Sequence, residues 1–242
     1  MKKLNAFQLK NIALIAMIMD HSDAFYPPAF QTWVHLFSRF VAPLFVFFMV
    51  EGLFHTRNKL KYNIRLFGWA IFMQAGDFII NKILISKQVS VHSNIFMTLA
   101  VGLTVINLFE HSKKSKGFKK LGLIILAILI IPLGVFTEGG VYMIPFTVVT
   151  YFFREKRNRA IIGYVILSVY FISSTLLPYT TTVSEAIEML NSNTDILFIT
   201  VVPFIFLYNG ERGPNTKFSK YFFYVFYPLH LWILAIIQFA IK

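Results

Sequence analysis

The sequence predicts an all-α polytopic membrane protein, and three observations carry that reading. Hydrophobic residues fill 57% of its 242 positions and only 14% are charged, where soluble domains carry about a quarter. Runs of roughly 15 to 22 apolar residues recur along the whole chain, the length a helix needs to cross a bilayer core. The basic residues alternate, with 19 of 23 Lys and Arg falling in every second connection. That is the positive-inside bias of a membrane protein.

About nine transmembrane helices follow, over roughly 8–24, 32–53, 64–84, 94–109, 121–136, 140–153, 160–177, 195–208 and 221–241. Lys2, Lys3 and Lys10 precede the first helix, and Arg57, Lys59, Lys61 and Arg65 join the second to the third. Lys113, Lys114, Lys116, Lys119 and Lys120 join the fourth to the fifth, and Arg154, Lys156, Arg157 and Arg159 the sixth to the seventh. Arg212, Lys217 and Lys220 join the last two. The alternate connections hold only Lys82 and Lys87, with Lys242 at the end. The N-terminus is therefore expected in the cytoplasm and the C-terminus outside. Met19-Asp20-His21 lacks a small-residue cleavage site, so the first helix is expected to be retained. The longest connection, 178–194, reads as an outer surface helix or a lid. Residues 1–242 are taken as one domain.

The net charge of +12 belongs to orientation and to contact with anionic membrane lipids, so no nucleic-acid partner is expected. The chain has no cysteine, which excludes disulfides, thiol nucleophiles and thiolate metal sites. HExxH, GxSxG and GxxxxGK[ST] are also missing.

The functional candidates are polar residues inside the apolar runs, where an ionisable group is costly and needs a reason. Asp20 and His21 end the first helix, and His21 lies roughly 16 Å beyond Lys10, in the outer half of the bilayer. Their side chains diverge by about 100°, so each is expected to find a partner on another helix. Arg39, at similar depth on the second helix, is the natural partner for Asp20. Gln74, Asp77 and Asn81 make a polar stripe on the third helix, and Asn94 and Thr98 share a face of the fourth. His230 lies near mid-bilayer on the last helix, three residues after Tyr227. Together these groups suggest a wet cavity opening outward. Glu51 is expected only to face a loop, and His35, His92 and His111 receive no role. His21, His230, Asp20 and Asp77 are metal-ligand types, but they are scattered singly over different helices, so no metal is expected.

The first helix ending MxxDH, the block SRFVAPLFVFFMVEGLFHTRNKLKYNIRL and the closing KYFFYVFYPLHL resemble the TraX family of F-pilin acetylation proteins. That family is in turn similar to the broader transmembrane acyltransferases. The resemblance spans essentially the whole chain, with three motifs in the right order. It implies a multi-pass transferase of the bacterial inner or plasma membrane that takes acetyl from acetyl-CoA. In those relatives a first-helix His carries the chemistry, preceded by a basic residue and ten intervening positions. Lys10 and His21 fit that spacing, with Lys where Arg is usual. The resemblance also implies that Arg57, Lys59, Lys61 and Arg65 hold coenzyme A phosphates. Exported peptides, pilin-like proteins or surface glycans are the implied acceptors.

On this reading His21 is the general base, with an acetyl-His intermediate as the variant. Asp20 positions a partner, Arg39 holds Asp20 or the oxyanion, and Asp77, Asn94, Tyr227 and His230 stand behind them. Two other classes stay open: a small-molecule transporter and a non-catalytic assembly factor of a surface appendage. Lipid-facing Phe and Leu surfaces leave room for a homodimer contact.

Overall fold

A computed structural model describes residues 3–176, 178, 180 and 182–242; Lys2, counted above among the cytoplasmic charges, lies outside them. Among the described residues the chain is helical, apart from an isolated bridge between Leu4 and Tyr208. Four segments among the described residues are long and apolar enough to cross a membrane: Phe30–His55, Ile95–Lys113, Gly117–Phe136 and Lys217–Ile241. Gly140–Phe153 and Thr194–Leu207 are shorter apolar stretches. Among the described residues helical stretches fall in every predicted span, but the second is broken between α2 and α3, and the first, fifth and eighth contain 3-10 turns.

Helix α1 (Ala6–His21) opens with a capping box. Asn5 Oδ1 accepts the Gln8 amide at 2.9 Å, and Gln8 Oε1 accepts that of Asn5 at 3.0 Å, so two otherwise orphaned donors are satisfied. A short 3-10 turn and Pro27-Pro28 then start α2 (Pro28–Ser38), with Pro at its first position where no amide is needed. The second predicted span breaks here, giving α2 and then α3 (Val41–His55). Pro43 is the cause: it has no N–H to bond the Arg39 carbonyl one turn back. Regular bonding resumes from Leu44 to the Phe40 carbonyl at 3.0 Å.

Helix α4 (Lys59–Leu84) is capped by Asn58, and α5 (Ile95–Lys113) by Asn94. Helix α6 (Gly117–Ile130) buries only Ala127 and presents an apolar surface outward. Helix α7 (Gly140–Phe153) lies in the interior, between α3, α5 and α8 (Arg157–Leu176). The long connection contains the amphipathic α9 (Val183–Ser192), capped by Thr182. The eighth predicted span is a 3-10 stretch over Thr194–Val201 running into the short α10 (Val202–Leu207). Helix α11 (Lys217–Ile241) carries Pro228 inside it, which frees the Tyr224 carbonyl.

One core cluster draws on α1, α3, α4, α5, α7 and α11. The chain entering α1 is tied to the segment before α11: Ala6 and Phe7 donate to the carbonyls of Glu211 and Arg212 at 2.8 and 3.2 Å. Arg212 is thereby brought to the same end of α1 as Lys10.

Candidate functional site

At the far end of α1 the side chains of Asp20 and His21 diverge, and each meets another helix. Asp20 accepts from three residues of one helical face: His35 Nδ1 at 2.7 Å, Ser38 Oγ at 2.6 Å and Arg39 Nη2 at 2.5 Å. Arg39 also donates through Nε to the His35 carbonyl and through Nη1 to Asp195 Oδ1, both at 2.7 Å. The expected Asp20–Arg39 pair is present, but His35, given no role from sequence, belongs to the cluster. The spacing of His35, Ser38 and Arg39, at i, i+3 and i+4, was the available signal. Asp195 is a second addition, from the 3-10 stretch before α10. Most of the five N–H groups of Arg39 are therefore committed to protein acceptors.

His21 turns to the last helix. Its Nδ1 lies 2.8 Å from Nε2 of His230, whose own Nδ1 lies 3.1 Å from the Phe226 carbonyl. A carbonyl only accepts, so the proton of a neutral His230 sits on Nδ1 and its Nε2 is an acceptor. A neutral His21 then donates from Nδ1 and keeps the lone pair on Nε2. This tautomer is inferred from the bonding pattern.

Asp20, His21 and Arg39 line one end of a cavity of about 560 Å³, together with Glu138, Asp195 and Tyr227. That volume is typical of small-molecule sites. The cavity continues past Leu14, Met17, Phe45, Met49 and Leu99 to a second polar end at Lys10, Arg65, Arg212 and Lys220. Lys10 packs over the rings of Phe48 and Phe223 at 5.3 and 5.2 Å. The Arg65 guanidinium lies 5.1 Å from the Tyr62 ring centre and 5.6 Å from that of Tyr224. Its Nε is buried with no hydrogen-bond partner among the described residues. Neither cation has a carboxylate within ion-pair distance among the described residues. Glu51, expected only to face a loop, lines this end and is matched by Arg154 at 2.8 and 3.1 Å. The far end of the cavity therefore stays net positive.

Several expected site residues lie elsewhere. Arg57, Lys59 and Lys61 do not line the cavity: Arg57 and Lys61 are exposed, and Lys59 is paired with Glu110 at 2.5 Å. Of the predicted basic connection only Arg65 reaches inward, because it lies nearly two turns into α4. Asp77 also falls outside, accepting from Trp232 Nε1 at 2.7 Å. Asn81 on the same stripe clamps Val91 through its backbone N–H and C=O at 2.7 and 2.8 Å. Asn94 caps α5 and donates to the Ala70 carbonyl at 3.0 Å. Tyr227 does line the cavity, and its hydroxyl donates to Glu138 Oε2 at 3.0 Å. Glu138, a lone acid before a Gly-Gly pair, gave no signal in the sequence.

The comparisons with known proteins agree with the resemblance drawn from the motifs. The family described as TraX protein matches residues 6–238. A protein of Dichelobacter nodosus, described as a probable fimbrial assembly protein FimC of serogroup H1, is 29% identical over 246 residues. The match covers 96% of this chain and 94% of that relative. No solved structure matches.

Proposed function

The chain belongs to the TraX family, and we propose that it is a membrane-embedded acetyltransferase. It moves acetyl from cytoplasmic acetyl-CoA to an amine or hydroxyl of an acceptor beyond the membrane. The observation that carries this reading is one continuous cavity, with an imidazole at one end and, at the other, basic residues that have no carboxylate within ion-pair distance among the described residues.

A thioester donor of this kind has a highly charged nucleotide head and a long, thin arm. Lys10, Arg65, Arg212 and Lys220 suit the head, giving charge-assisted hydrogen bonds to phosphate oxygens. The apolar waist between the two ends suits the arm. With about nine crossings, the N-terminus inside and the C-terminus outside, the cationic end faces the cytoplasm and His21 lies under the outer surface. The acceptor then reaches His21 from outside while the donor never leaves the cell.

His21 acts as general base through Nε2, and His230 holds it in the required tautomer, much as a carboxylate does for a triad histidine. Asp20, saturated by His35, Ser38 and Arg39, fixes the end of α1 on which His21 sits. The D. nodosus relative is described as a fimbrial assembly protein, which favours an exported, pilin-like acceptor. The same description supports a second reading, a non-catalytic assembly factor.

Purified protein in lipid nanodiscs separates the two. An acetyltransferase binds acetyl-CoA and, lacking acceptor, hydrolyses it slowly, and His21→Ala abolishes the turnover while the fold persists. Wild-type protein that neither binds nor consumes acetyl-CoA would remove the acetyltransferase and leave the assembly factor and the transporter. Mass comparison of surface peptides and glycans from cells with and without the chain then identifies the acceptor by one acetyl group.

A further inference from the structure

Because Arg39 is committed to His35, Asp20 and Asp195, an oxyanion forming beside His21 needs another donor. Tyr227 lines the same end of the cavity, and its ring meets that of His21 edge-on with 6.4 Å between centres. The phenolic oxygen accepts the Ile95 amide at 3.4 Å and lies 3.0 Å from Glu138 Oε2. A phenol has one proton to donate. While Glu138 is a carboxylate, that proton is held by Oε2. Once Glu138 is protonated, its O–H can donate to the phenolic oxygen, and the phenolic proton is released to the cavity.

We propose that Tyr227 donates to the oxyanion of the attacked thioester and that Glu138 is the positioning residue which sets the direction of its hydroxyl. The proposal rests on the acetyl-transfer reading of the cavity. The acceptor heteroatom bonds to the thioester carbonyl carbon, and His21 Nε2 takes the proton it sheds. The carbonyl π pair moves onto oxygen, where the Tyr227 O–H meets it. As that pair returns, the C–S bond breaks and His21 passes its proton to the departing thiolate. Tyr227 and Glu138 keep their protons through the cycle.

The setting of Glu138 fits this task. It lies in the connection between the 3-10 turn after α6 and α7, where Thr98 Oγ1 donates to its carbonyl at 2.6 Å. Gly139 follows it with φ of 61°, a left-handed turn that favours glycine. Among the described residues no cation pairs with it. The groups around it are Tyr227 on α11, the Asn94 amide on α5, Asp195 before α10 and Arg39 after α2. His21 on α1 lines the same end of the cavity. Burial pushes the Glu138 carboxyl up to about 7, opposed by the Tyr227 hydrogen bond and reinforced by the Asp195 charge. Glu138 is thus protonated below about pH 7, and the donor is withdrawn as pH rises through that value. A general base such as His21 gives a limb of the opposite sign, rising with pH.

The test is the pH profile of kcat in nanodiscs for wild type, Glu138→Gln and Tyr227→Phe. Wild type is expected to lose activity above a midpoint near pH 7. Glu138→Gln, whose amide nitrogen donates to the phenol at every pH, loses that limb and exceeds wild type about tenfold at one pH unit above the midpoint. Tyr227→Phe falls about 10²- to 10³-fold and shows no falling limb in what remains. Wild type without any turnover overturns the acetyl-transfer reading and this proposal with it. An active wild type whose falling limb persists in Glu138→Gln overturns the proposal alone. Should Glu138→Gln not fold, a Tyr227→Phe profile and rate matching wild type overturns it equally.

Discussion

Arg39 Nη2 lies 2.5 Å from Asp20 Oδ2, and Nη1 of the same guanidinium lies 2.7 Å from Asp195 Oδ1. One planar fork therefore fastens the end of α1 to the stretch before α10, at the point where Pro43 breaks the helix. A lysine offers a single ammonium and cannot serve both carboxylates with the same geometry. Arg39→Ala leaves the Asp20 carboxylate, 16% exposed, without its cation, which costs about 3–5 kcal/mol. Asp195→Asn removes a pair whose acid is 44% exposed, a change of about 1 kcal/mol or less. Thermal unfolding in detergent is expected to rank Arg39→Ala well below Asp195→Asn. Equal shifts would mean that the two ends of the fork are equivalent.

The His21–His230 contact makes a separate prediction about rate. His21→Ala removes the proposed base and is expected to lower kcat by about 10²- to 10⁴-fold. His230→Ala keeps the base but frees its Nδ1, so both tautomers are populated and the loss is smaller. His230→Gln offers a carbonyl oxygen to the same Nδ1 and should recover part of it. Acetyl-CoA turnover of the three variants, with circular dichroism to confirm helicity, checks the order. A His230→Ala enzyme as fast as wild type would separate His230 from the chemistry.

Composition made the helical class legible, and the apolar runs marked where helical stretches begin and end to within a few residues at several of the predicted spans, since apolar length is a property of the chain alone. The break at Arg39 was also within reach, because Pro43 lies one turn beyond it. The partner of Asp20 followed from depth, and His35 could have followed from its spacing to Arg39. The cationic end was not legible. Arg212 comes near Lys10 only because the segment before α11 pairs with the chain entering α1, a contact between opposite ends of the sequence. Glu138 was hidden for the same reason, as nothing local marks a turn residue that a distant Tyr227 will meet.

The proposed assignment of the cationic end to the acetyl-CoA head group yields a prediction on donor affinity. Arg212→Ala or Lys220→Ala each removes one charge from the cavity, and a hydrogen bond to a charged group contributes about 1.5–3 kcal/mol. The KM for acetyl-CoA is therefore expected to rise roughly ten- to a hundredfold with kcat little changed, since neither residue is near His21. Arg57→Ala and Lys61→Ala, both exposed and outside the cavity, should leave KM where it is. Steady-state kinetics at fixed ionic strength distinguishes the pairs. The reverse ranking would return the donor site to the connection before α4.

Asp77 is a buried acid on an apolar helix, and its hydrogen-bond partner there is Trp232. Trp232 Nε1 donates to Asp77 Oδ1 at 2.7 Å, while Gly76 makes room for the indole. A Cβ at position 76 would lie 2.1 Å from Trp232 Cζ2, so Gly76→Ala must push the ring off α4 and stretch that bond. Asp77→Ala leaves the indole N–H without its acceptor, and each change is expected to cost about 1–3 kcal/mol. Asp77→Asn keeps an oxygen for the indole and should cost less. None of these residues lines the main cavity, so the KM for acetyl-CoA should stay constant while the unfolding temperature falls. An Asp77→Ala protein with wild-type stability and a depressed kcat would place this carboxylate in the reaction after all.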